Sequence, residues 1–126
     1  MNTINTRVSC ICIDENNISR VNINENAEVD LADAEEIIST ILKIRGGEIL
    51  PVCIDIRKLK SISREARQYF ASDDRPRVGN AVALVVESST TRVIGNFFLG
   101  LNKPSYPLKI FQNVNDATGW LKGFFI

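Results

Sequence analysis

Two short stretches of the sequence carry the residue types that could do chemistry. In IDIRKLKSISREARQYF, residues 54–70, the cations Arg57, Lys58, Lys60 and Arg64 surround the hydroxyls of Ser61 and Ser63. Cations and hydroxyls at a strand-to-helix junction suit the holding of an anion, carboxylate or phosphate, against the free N–H groups of a helix start. In ESSTTRV, residues 87–93, Ser88, Ser89, Thr90 and Thr91 precede Arg92 at a second junction of the same kind. Both stretches also have a plainer use. A hydroxyl at a helix start accepts a backbone N–H and is worth about 1 kcal/mol as a cap; Ser63 and one of the four later hydroxyls fit that use.

Other chemistries are harder to assemble. The chain has no histidine, which excludes His-dependent triads, His-ligated zinc and the commonest general base. Asp55 stands at the end of a strand, with no second polar group in a recognisable constellation. Cys10, Cys12 and Cys53 lie in apolar runs without metal or redox spacing, and are expected as reduced core thiols. No catalytic residues, no metal and no cofactor are expected, and the chain reads as a non-enzyme.

Charge narrows the partners only locally. The 15 basic residues balance the 15 acidic ones. Residues 1–36 are nevertheless net −6, and residues 57–92 net +4. Such a dipole could steer an acidic partner. Nucleic acid is not expected, because Tyr69 and Phe70 read as core residues and do not alternate with exposed arginines. No run approaches the ~20 apolar residues of a membrane span and no signal peptide is visible, so a cytoplasmic protein is expected.

At 126 residues one domain, 1–126, is expected. Residues 8–13 and 18–23 read as a hairpin broken by Asp14-Glu15-Asn16-Asn17. Asp30 caps a helix with Leu31, Ala34, Ile38, Ile41 and Leu42 at helical spacing, which Gly46-Gly47 ends. Residues 51–56 read as a buried strand, and Ser63 then caps a helix with Ala66, Tyr69 and Phe70 inward. Residues 81–86, AVALVV, read as the clearest buried strand. A helix with Val93, Ile94, Phe97, Phe98 and Leu101 follows, then a strand at 108–111 and a last helix over 116–122 capped by Asn115. The hairpin and four βα units imply an α/β fold with a mostly parallel sheet and right-handed crossovers.

This pattern resembles the STAS domain, the SpoIIAA-like fold of anti-sigma-factor antagonists. The stretches IDIRKLKSISREARQYFAS, SSTTRVIGNFFLGLNKPSYPLKIF and NDATGWL are most similar to a group of uncharacterised STAS-like bacterial proteins, over essentially the whole chain. In STAS antagonists a serine or threonine of an Asp-Ser-Ser-Gly-like motif is phosphorylated by a partner kinase. With Ile54-Asp55-Ile56 on the family's Leu-Asp-Leu strand end, Ser63 falls on the motif's Asp, Arg64 and Glu65 on its hydroxyl positions, and Ala66 on its Gly. The phosphorylatable residue is absent at its own place; Ser61 and Ser63 are the hydroxyls a shifted phosphosite would use.

The functional expectation is therefore a STAS-like regulatory or protein-interaction module. Its partner would bind at one edge formed by Arg57, Lys58, Ser61, Ser63 and Arg64 with Ser89, Thr90 and Arg92. The alternative is a carrier of a small apolar or amphipathic ligand in a cavity between helices and sheet. The apolar excess of residues 93–101 and 123–126 could also make a homodimer face. Pro104-Ser105-Tyr106-Pro107, a Pro-x-x-Pro pattern, bridges a helix and a strand too tightly for a free recognition segment.

Overall fold

The computed structural model describes residues 3–72, 76–101 and 106–125, the side chains of residues 97–101 excepted. In chain order its elements are β1 (Thr3–Asn5), β2 (Ser9–Ile13), β3 (Ser19–Ile23), β4 (Glu28–Val29), α1 (Leu31–Arg45), β5 (Val52–Asp55), β6 (Ser61–Ile62), α2 (Arg64–Ala71), β7 (Val82–Val85), α3 (Ser89–Leu101), β8 (Leu108–Phe111) and α4 (Val114–Lys122). The main sheet has six strands in the order β1-β2-β3-β5-β7-β8. Its first three strands are antiparallel and the rest parallel. The expected hairpin is β2–β3. Asp14 Oδ1 accepts the N–H groups of Asn16 and Ile18 at 2.9 and 3.0 Å, and Asn17 takes the left-handed conformation, φ 59°, which suits an Asn in a tight reversal.

Side-chain alternation assigns the two faces. Ile11, Val21, Val52 and Val82 point to one face, where they form a core with Ala34, Ile37, Ile38 and Ile41 of α1, Ala66 of α2 and Ile94 of α3. Cys53, Ala83 and Val85 point to the other, against Ala117 and Leu121 of α4. Trp120 completes that second layer, its ring 4.8 Å from Phe124 and 5.7 Å from Phe111. Phe124, part of the apolar excess read as a candidate homodimer face, is half-buried and packs against this second layer.

Three expectations change. Cys10 and Cys12 are only half-buried, because they share the face of Cys53 but lie on β2, while α4 packs on β5, β7 and β8. The last helix begins earlier than expected: Asn113, not Asn115, is its N-cap and accepts the Asp116 N–H at 2.8 Å. Strands β1, β4 and β6 had no sequence signal, being only two or three residues long. The expected contacts of Phe97, Phe98 and Leu101, and the segment 102–105, lie outside the described residues.

Candidate functional site

The β5–α2 connection is stitched down. Ile56 and Leu59 are buried. The Asn26 N–H donates to the Lys58 carbonyl, and the Lys60 N–H to the Ala27 carbonyl, each at 3.0 Å. Ser61 and Ile62 then pair in parallel with Glu28 and Val29, β6 on β4. Each of these short strands leads directly into a helix, so the starts of α1 and α2 lie side by side. Ser63 caps α2, its Oγ accepting the Ala66 N–H at 3.1 Å. Asp30 caps α1 in a reciprocal capping box with Asp33.

Between the two starts lies an open cleft of about 390 Å³, lined by Arg7, Glu28, Asp30, Ile62, Ser61 and Ser63, with Val29. Its setting is mixed rather than basic. Glu28 and Asp30 stand across from the serines, and Arg7 is bound through its guanidinium to Asp33 and to the Glu28 carbonyl. That hydrogen bond raises the Arg7 pKa and, foremost among its influences, holds the Asp33 carboxyl below the usual carboxylate range. Sequence reasoning missed Arg7, whose placement depends on a contact 26 residues away.

Arg57 is withdrawn from the expected anion-binding group. Its Nε and Nη2 donate to the Asp55 carboxylate at distances from 2.7 to 3.1 Å, and its own backbone N–H adds a bond at 3.0 Å. The hydrogen bond to Asp55 raises the Arg57 pKa. The sequence reading left Asp55 without a polar partner; Arg57, two residues on, is that partner. Lys58, Lys60 and Arg64 are exposed, and among the described residues none of them makes an ion pair or side-chain hydrogen bond.

At the second junction Ser88 is the cap. Its Oγ accepts the Thr91 N–H, and Thr91 Oγ1 in return accepts the Ser88 N–H, each at 3.2 Å. Thr91 is fully buried by this arrangement, whereas Ser89, Thr90 and Arg92 are exposed. Strands β5 and β7 are neighbours, so both junctions leave the sheet at the same end. They open on different clefts, however. Arg92 lines a groove of about 410 Å³ with Val86, Asn96, Ile110 and Gln112, and no residue of 57–64 lines it.

Inside the fold, between the helices and the sheet, an entirely apolar cavity of about 50 Å³ is lined by residues including Val21, Ile37, Ile54, Leu59, Phe70 and Ile94. On the opposite face Arg20 donates to Asp14 Oδ2 at 2.7 Å and to Thr118 Oγ1 at 2.8 Å. This ties the hairpin to α4. Burial acts to lower the Arg20 pKa, but its partners, Asp14 first, raise it overall. Burial pushes the neighbouring thiols of Cys12 and Cys53 upward. No group of metal-ligating side chains occurs among the described residues, and no described helix is long and apolar enough to cross a membrane.

A mixed sheet opened by an antiparallel hairpin, continued by parallel strands and covered by helices on both faces is a SpoIIAA-like α/β fold. A solved structure bears this out: an uncharacterised protein of the DUF3478 family from Shewanella loihica PV-4, described as having a SpoIIAA-like fold. It superposes with a TM-score of 0.63 at 19% identity, over 96% of this chain and 99% of that one. The chain belongs to the family described as Domain of unknown function (DUF7793), whose model matches residues 11–125. A protein of unknown function from Arthrobacter sp. FB24 is 28% identical over 94% of this chain and 95% of its own, with a TM-score of 0.37. No curated protein matches the chain.

Proposed function

We propose that this protein is a non-enzymatic regulatory interaction module that meets an acidic protein partner through the β5–α2 loop. The observation that carries the reading is the trio Lys58, Lys60 and Arg64. All three are exposed and uncommitted among the described residues, Lys58 and Lys60 on a loop whose backbone is already pinned and Arg64 at the first position of α2. Cations held on an ordered loop lose little further backbone entropy on binding, and they speed encounter with an acidic surface. Ser89, Thr90 and Arg92 leave the same end of the sheet but Arg92 opens on a separate groove, so the reading rests on the loop cations and Arg64.

Asp14, Asp33 and Asp55 are each paired with an arginine within the fold. The carrier alternative draws no support from the 50 Å³ cavity, since pockets for small molecules start near ~300 Å³.

The test is capture of a partner from native lysate by the full chain and by a Lys58→Glu/Lys60→Glu/Arg64→Glu variant. Arg57 is left alone because its replacement would free Asp55. A partner held by the wild type is expected to be lost by the variant, and to elute from the wild type as salt rises. Retention of the same partner by the variant at unchanged affinity overturns the reading.

A further inference from the structure

The far edge of the sheet holds a second surface, independent of the loop. Among the described residues strand β8 is the last strand of the main sheet and pairs with β7 on one side only. The Val82 N–H donates to the Pro107 carbonyl and the Val86 N–H to the Phe111 carbonyl, each at 2.9 Å. Backbone groups alternate in direction along a strand, so residues 107, 109 and 111 spend theirs on β7. Leu108 and Ile110 turn theirs outward, where no bond to them occurs among the described residues. An unpaired row of this kind is a template for another strand.

The surroundings select what can pair there. Beside the outward row, on the α3 side, runs the groove of about 410 Å³ formed by Val86, Arg92, Asn96, Ile110 and Gln112. Its floor is apolar, its wall carries exposed Arg92 and Asn96, and no carboxylate lines it among the described residues. On the opposite face Lys109 is exposed, its ammonium 5.3 Å from the Phe111 ring. Both flanks of the edge thus offer one cation and one apolar surface.

We propose that the outer edge of β8 is a strand-addition site for an extended, acidic segment of a partner protein. Main-chain bonds to Leu108 and Ile110 supply the pairing. Acidic side chains meet Arg92 on one face and Lys109 on the other, and apolar ones rest on Ile110 and Phe111. A second copy of this chain is the poorer occupant, because edge-to-edge pairing would bring two sets of Arg92 and Lys109 together.

The probe is an acetylated Glu-Glu-Val-Val-Glu-Glu-Val-Val amide, which places an acidic and an apolar side chain on each face in turn. It is titrated into the ¹⁵N-labelled full chain, with amide hydrogen exchange measured free and bound. Binding is expected to shift residues 108–112 and 92–96 and to slow exchange at Leu108 and Ile110. Arg92→Glu should weaken it about fivefold to tenfold. Gln112→Pro removes an outward donor at an exposed position without touching the β7 ladder, and should weaken it as well. The Lys58→Glu/Lys60→Glu/Arg64→Glu variant should bind the peptide as the wild type does. The proposal fails if the peptide does not bind, or if Leu108 and Ile110 gain no protection. It fails also if the shifts fall on residues 58–64, which would assign acidic segments to the loop. Protection of the same amides through concentration-dependent dimerisation without peptide would hand the edge to a second copy.

Discussion

Replacing Asp33 by asparagine tests how the paired helix starts beside Ser61 and Ser63 are held. Asp33 is 5% exposed and sits in the first turn of α1. Its carboxylate accepts the Asp30 N–H at 3.0 Å, the Arg7 Nε at 2.8 Å and the Arg7 Nη2. Asparagine keeps the shape but offers one acceptor oxygen, and turns an amide N–H₂ toward a donor. Half of the capping box goes, at about 1 kcal/mol. A buried charge-assisted acceptor is lost with it, at about another 1 kcal/mol. The expected cost at pH 7 is therefore about 2 kcal/mol, or about 8 °C in Tm for a chain of this size. Arg7→Ala should cost less, because the Arg7 side chain is 62% exposed and water can replace it. The assay is urea unfolding of wild type and variant at pH 7 and pH 3. The Asp33 pKa is depressed in the folded state, chiefly by the hydrogen bond from Arg7. Its contribution is therefore full above the unfolded value of about 3.9 and is lost as pH falls through the folded value. The gap between wild type and variant should narrow from pH 7 to pH 3. No gap at pH 7, or an equally wide gap at pH 3, refutes the reasoning.

Two further outcomes follow from close contacts and burial. Gly79→Ala would set a Cβ 2.3 Å from the Leu50 carbonyl oxygen and 2.7 Å from Val52 Cγ2. The approach to β5 must then open, and thermal unfolding should show a loss of more than about 2 kcal/mol; an unchanged Tm would contradict the packing. Iodoacetamide should alkylate Cys10 and Cys12 in the native protein, Cys12 slowly near pH 7 because burial raises its pKa and keeps it as the thiol, and Cys53 only after unfolding. Three adducts appearing together by intact mass would show that Cys53 is not shielded.

What could be read without coordinates depended on whether the signal was local. Asp30, Ser63 and the Gly46 that ends α1 with φ 61° act on backbone groups a few residues away. Their helices therefore stand in the sequence itself. The same holds for Val82–Val85, where four buried residues make a strand covered on both faces. Short strands escape such reading. Glu28–Val29 and Ser61–Ile62 become strands only because each finds the other.

The candidate site divides along the same line. Sequence determined that cations and hydroxyls gather at two strand-to-helix junctions, and that no histidine chemistry exists in the chain. It could not determine which of those cations remain free, since that depends on where carboxylates from other elements arrive. Arg57 and Asp55 are two residues apart, yet only the strand end turns one onto the other. Arg7 reaches Asp33, and with it the serine cleft, across 26 residues. The edge of β8 is wholly a product of topology, because a strand is an edge only by virtue of having no neighbour. Local propensity writes the elements; long-range pairing decides which charges, thiols and backbone groups are left for a partner to use.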